Sequence, residues 1–135
     1  MKLEWEYDRE SDTFSTYKYF GKYKYGVYIF PDCFSKSIHF RVGATSGKKR
    51  SELEVFEDKP NKSLGGIKAL FWIKDAVLSF PEYYVKRHNV KGTKLYITIQ
   101  WEDSRRKKIY SRLLRYGFRF QTVVGEEVLT KRIKF

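Results

Sequence analysis

Cysteine is nearly absent from this chain. Cys33 is the only one in 135 residues, so no internal disulfide can form. That excludes the disulfide-stapled secreted class and fits a reducing compartment, the cytoplasm. Histidine is almost as scarce. His39, His88 and Cys33 show no metal-ligand spacing, so no metal site is predicted. Long apolar runs are missing too. The longest, Leu64 to Phe80, is interrupted by Lys68, Lys74 and Asp75, and reads as a buried helix rather than a membrane span. The opening "MKLEWEYDRE" is charged and has no apolar core, so no secretory leader is expected. No Walker loop and no nucleophile elbow occur. Acidic residues are the last shortage: 16 stand against 28 lysines and arginines, a formal charge of +12.

Apolar volume, by contrast, is ample. Hydrophobic residues make up 41% and aromatics 19%, enough for the core of a single domain over 1–135. The charge is uneven. Residues 1–60 carry 11 basic and 10 acidic side chains, and residues 61–135 carry 17 and 6. The second half therefore attracts polyanions: nucleic acid, phosphorylated cofactors or acidic proteins.

The first sixty residues read as strands. "KLEWEY" alternates Leu3, Trp5 and Tyr7 with charged residues. "TYKYFGKYKYGVYIF" reads as two strands turning near Gly21. "PDCFSK" reads as a turn, "SIHFRV" as a strand, "GATSGKKR" as a loop and "SELEVFE" as a strand. A helix is then predicted over Ser63–Phe80, capped at Asn61 or Ser63 and ended by Pro81. Its polar residues Lys68, Asp75 and Ser79 fall on a narrow stripe, so Leu70, Phe71, Trp72 and Ile73 are expected inside. "TKLYITIQW" is a strong strand. Ser104–Tyr116 reads as an amphipathic helix ending at Gly117, with Ile109, Tyr110, Leu113 and Leu114 docked. "FRFQTVV" and "VLTKRIKF" form a closing hairpin around "GEE". The predicted class is α/β or α+β: a mixed, mostly antiparallel sheet with two main helices.

This order resembles the GNAT family of N-acetyltransferases: three antiparallel strands, a helix, a parallel strand, a helix and a final hairpin. "RRKKIYSRLLRYGF" is similar to the family's late helix, which ends in Gly-Phe, here Gly117 and Phe118. "GGIKALFW" is similar to its glycine-rich cofactor helix. The resemblance implies acetyl-CoA as cofactor, transfer of its acetyl group to an amine, and cofactor contacts at Val55, Asn61, Lys62, Gly65, Gly66, Ile67 and Lys68. Ile67 stands where the family's phosphate signature has a small residue, and Leu113 where its tyrosine commonly lies.

The residues themselves leave two readings open at several points. Gly65 and Gly66 at a helix N-terminus can let a pyrophosphate approach unpaired N–H groups, or let helix pack closely on sheet. Acyl transfer needs a base and an acid. Glu54 and Glu57 are the candidate bases, and Tyr110 and Tyr116 the candidate acids; each also suits a structural role. Arg105, Lys108, Arg112 and Arg115 form one helical stripe that points to a polyanion or to solvent. "YKYFGKYKYG" can stack nucleobases on tyrosines and hold phosphates with lysines, or be a strand with Tyr inside and Lys outside. The expected function is GNAT-like N-acyl transfer. The alternative is a non-catalytic basic binding protein on the same scaffold, of the kind found in viruses and phages, contacting nucleic acid or a host protein. Neither reading involves a membrane.

Overall fold

The computed structural model describes residues 3–21, 23–48, 54–55, 66–100, 111–123 and 125–134. The fold is α+β. In chain order it has β1 (Glu6–Asp8), β2 (Thr13–Phe20), β3 (Tyr23–Cys33), β4 (Ser37–Lys48), β5 (Glu54–Val55), α1 (Gly66–Val85), β6 (Lys94–Ile99), a 3₁₀ turn (Ser111–Tyr116), β7 (Arg119–Val123) and β8 (Glu126–Ile133). Hydrogen-bonded neighbours run β1-β2-β3-β4-β6-β8-β7, with β5 also beside β4. Among the described residues no helix is long and apolar enough to cross a membrane.

Cα packing divides the chain into two compact units, Met1–Ile29 with Gly43–Phe80, and Phe30–Val42 with Pro81–Phe135. Strands β3 and β4 and helix α1 contribute to both.

In the first unit β2 and β3 form a hairpin at Gly21, whose φ of 62° is the left-handed conformation a tight turn needs. Alternation does the sorting. Phe14, Thr16, Tyr25, Val27 and Ile29 share one face and are buried. Against that face α1 turns Ala69, Trp72, Ile73, Ala76, Val77 and Phe80, all buried and spaced by three or four residues. Phe80 packs edge-on to Trp5 at 4.9 Å and to Phe14 at 5.1 Å, and Trp72 edge-on to Phe20 at 6.2 Å.

Phe71 overturns the expectation that it lies inside. It is 54% exposed, because it shares the outward stripe with Lys68, Asp75 and Ser79. The side chain of Leu70 lies outside the described residues, as do Asn61 and Ser63, the expected caps.

In the second unit β4 pairs parallel with β6, Ser37 opposite Lys94 through Val42 opposite Ile99. Strand β8 lies antiparallel to β6, and β7 closes a hairpin on β8 at Gly125, φ 79°. Ile38, Phe40, Leu95, Ile97, Ile99, Phe118 and Leu129 form its core.

Pro81 does not end α1. The helix runs on to Val85 with Pro81 inside it. Proline in a helix interior costs about 3 kcal/mol, because it offers no N–H and crowds the preceding turn. Here the extra turn buries Pro81 itself and Tyr84, whose ring meets Phe40 at 5.0 Å. Burying an aromatic side chain recovers a similar sum, roughly 1.5–3 kcal/mol.

Strand limits shift as well. Pro31, Asp32 and Cys33 belong to β3 rather than to a turn, and the turn is 34–36, closed by Phe34 N–H donating to the Ser37 carbonyl at 2.8 Å. "GATSGK" continues β4 to Lys48 instead of looping, because β5 supplies ladder partners at Thr45 and Ser46. "KLEWEY" is strand only from Glu6, where β1 meets β2.

Candidate functional site

The expected cofactor cradle is described only at its C-terminal side. Gly66 opens α1, Ile67 follows, and Lys68 is exposed in the first turn. Asn61, Lys62, Gly65 and Glu57 lie outside the described residues. Glu54 and Val55 form β5, paired with Ser46 and Thr45. A helix start such as Gly66–Lys68 offers unpaired N–H groups and a cation in one place.

The basic helix is a 3₁₀ turn over its described part, Ser111–Tyr116; Arg105, Lys108, Ile109 and Tyr110 lie outside. Arg112 and Arg115 are both exposed. Three residues make one 3₁₀ turn, so the two guanidinium groups rise from the same side. Leu114, expected on the docked face, is 43% exposed. The tighter turn carries it away from the side an α-helix would give it. Leu113 is half-buried. Gly117 ends the turn as expected, with φ 90° and its N–H on the Leu114 carbonyl. Tyr116 contributes its carbonyl, which accepts from Lys131 Nζ. That contact closes off Gly117: a Cβ there would meet Lys131 Nζ at 3.0 Å.

A third cluster escaped the sequence reading. His39 on β4 and Tyr96 on β6 are register partners, and their rings stack at 4.8 Å and 15°. Phe34 meets the imidazole edge-on at 5.3 Å. His39 Nδ1 lies 3.2 Å from Thr98 Oγ1. Arg41, in β4, donates through Nη2 to Gln100 Oε1, just past β6, at 3.0 Å and pairs with Asp32 at 3.6 Å; Gln100 Nε2 donates to Glu126 at 3.4 Å. Burial pushes the His39 pKa below its ordinary 6.5. Asp32 raises it and Arg41 lowers it by smaller amounts. The imidazole is therefore neutral at pH 7. A neutral imidazole keeps a lone pair on one ring nitrogen that can take a proton. Sequence alone could not find this group. Thr98 is 59 residues from His39, and only the parallel register brings them together.

Among the described residues no cluster of three or more His, Cys, Asp or Glu could hold a metal ion. No protein-family model, no curated protein and no solved structure matches this chain.

Proposed function

We propose that the chain is a GNAT-like N-acyltransferase that moves an acetyl group from acetyl-CoA to an amine. One observation carries the reading: β4 and β6 run parallel, α1 lies between them in sequence, and the closing hairpin sets β8 beside β6. The resemblance implies strands, a helix, a parallel strand, a second helix and a hairpin; a 3₁₀ turn stands where the described part of the second helix would be, and the parallel partner of β6 is β4 rather than the strand just before α1. Ligands of open sheets gather outside the C-terminal ends of parallel strands. Gln100 follows the C-terminal end of β6, and Arg41 reaches it from within β4, two residues after His39.

The transfer forms an amide C–N bond, breaks the thioester C–S bond and releases a proton from the amine. The His39 imidazole receives that proton as general base, and the departing thiolate takes its proton from solvent. Thr98 and the Tyr96 ring hold the imidazole's direction. His39 replaces Glu54 as base in this reading, since its imidazole, held below 6.5 by burial, is neutral at pH 7. In the first unit taken by itself, the start of α1 offers the N–H groups and the Lys68 cation that suit a phosphate.

Calorimetric titration of acetyl-CoA into the full chain tests this. Saturable heat is expected, with a rise in melting temperature by mass action. Gly66→Glu should abolish both, because it sets bulk and negative charge at the phosphate site. No heat at millimolar acetyl-CoA would end the enzyme reading. A basic binding protein is then the second reading, favoured by the exposed pair Arg112 and Arg115.

A further inference from the structure

The segment Tyr17–Tyr28 contains Lys18, Lys22 and Lys24 and no acidic residue. The hairpin register decides what it displays. Opposite residues in an antiparallel pair share a face. Tyr25, Val27 and Thr16 point to the core. Tyr17, Tyr19, Lys24 and Tyr28 therefore stand on the other face, together with Gly26 and Ser15. The simple arrangement of tyrosine inside and lysine outside does not hold here.

The outer face is built rather than accidental. Gly26 is the register partner of Tyr17, and having no side chain it leaves the space the Tyr17 ring needs. That ring lies between its diagonal neighbours. Its hydroxyl is 2.9 Å from the Tyr28 hydroxyl, the two rings meet edge-on at 85°, and Lys24 Nζ sits 4.1 Å over the Tyr17 ring. Tyr19, the partner of Lys24, is 50% exposed. In this unit the described helix covers only the opposite face, through Trp72 and Phe80. Glu6 lies on the outer face opposite Ser15, in the row that continues to Tyr28 and four residues along β2 from Tyr19.

We propose that this β2–β3 face binds single-stranded nucleic acid, with bases stacked on Tyr19 and Tyr28 and Lys24 holding the backbone phosphate. The pieces match the requirement. Flat aromatic faces accept any unpaired base, and an adjacent lysine neutralises the strand. Charge complementarity selects the occupant: Lys24 stands on this face, the segment holds no acid, and a chain of net charge +12 repels a basic partner and attracts a polyanion. Duplex is disfavoured because its base faces are hidden by pairing and stacking. The site does not depend on the acyltransferase reading.

Fluorescence anisotropy with a labelled oligothymidine, an oligouridine and a hairpin duplex of equal length tests it. Tyr19→Ala should weaken single-strand binding about fivefold to a hundredfold, the loss of one base stack. Tyr19→Phe keeps the π face and should bind as the parent does. Lys24→Gln should make the salt dependence shallower by about 0.7 in log–log slope. Melting curves of each variant separate loss of binding from loss of fold. Should Tyr19→Ala fail to fold, the Phe variant and Lys24→Gln still decide. The proposal is overturned if the parent binds no single strand at about 50 mM salt, where such contacts are strong. It is equally overturned if duplex binds as tightly, or if Tyr19→Phe loses affinity. It also fails if Tyr19→Ala and Lys24→Gln keep full affinity while Arg112→Glu with Arg115→Glu abolishes it.

Discussion

Replacing Phe80 by alanine and by leucine separates two contributions to the packing of α1. Phe80 is wholly buried and touches Trp5 and Phe14 edge-on, at 4.9 and 5.1 Å. Alanine removes the ring and leaves a cavity that fixed strand and helix backbones cannot close, a loss of about 3–5 kcal/mol. Both ring pairs disappear with it, which places the expected value in the upper half of that range. Leucine keeps most of the volume. It forfeits mainly the two edge-to-face contacts, worth about 0.5–1.5 kcal/mol each, so its expected cost is about 1–3 kcal/mol. Since a domain is stable by only about 5–15 kcal/mol, the alanine variant should sit close to unfolding. Urea titration followed by tryptophan fluorescence reads both, provided the slopes match the parent's. Trp5 and Trp72 both lie near the altered site, so the folded-state signal should also shift. A cost near or below 1 kcal/mol for Phe80→Ala would refute the packing of α1 against β2. Equal costs for the two variants would refute the share assigned to the ring pairs.

Two further outcomes follow from the cationic and titratable groups. Burial holds His39 below 6.5, so as pH falls the unfolded chain binds the proton first. Its contribution to stability is complete above about pH 6.5 and is lost on acidification from there down to the folded value. His39→Gln should lose less stability than the parent between about pH 8 and about pH 5; identical losses in urea midpoint would show that His39 is not so held. Arg112→Glu with Arg115→Glu should fold normally, since exposed substitutions usually stay within about 0.5 kcal/mol. If the second reading holds, this variant should elute from a polyanion column at lower salt than the parent, while acetyl-CoA binding is unchanged; unchanged elution would assign the pair to solvent.

The sequence by itself determined what is local. The β-branched and aromatic residues of "TYKYFGKYKYGVYIF", broken at Gly21, marked two strands, and Gly21, Gly117 and Gly125 sit where the backbone takes a positive φ. Composition set the absence of disulfides and the positive field. The stripe of Lys68, Asp75 and Ser79 marked the wet side of α1, and of the residues expected inside Trp72 and Ile73 are buried. Tertiary structure decided what depends on a partner. A strand of period two has two faces of equal standing, and only the register of β2 on β3 and the helix over Phe14 sent Tyr25 inward and Tyr17 and Tyr19 outward. Phe71 is as apolar as Trp72, yet one turn of 100° puts it on the wet stripe. Pro81 carries a local signal to stop, which the burial of Tyr84 against Phe40 overrides. His39, Tyr96 and Thr98 carry no local signal of association. They form a site because β4 and β6, separated by a helix in sequence, run parallel and in register, and hydrogen bonding between strands is blind to the length of chain that joins them.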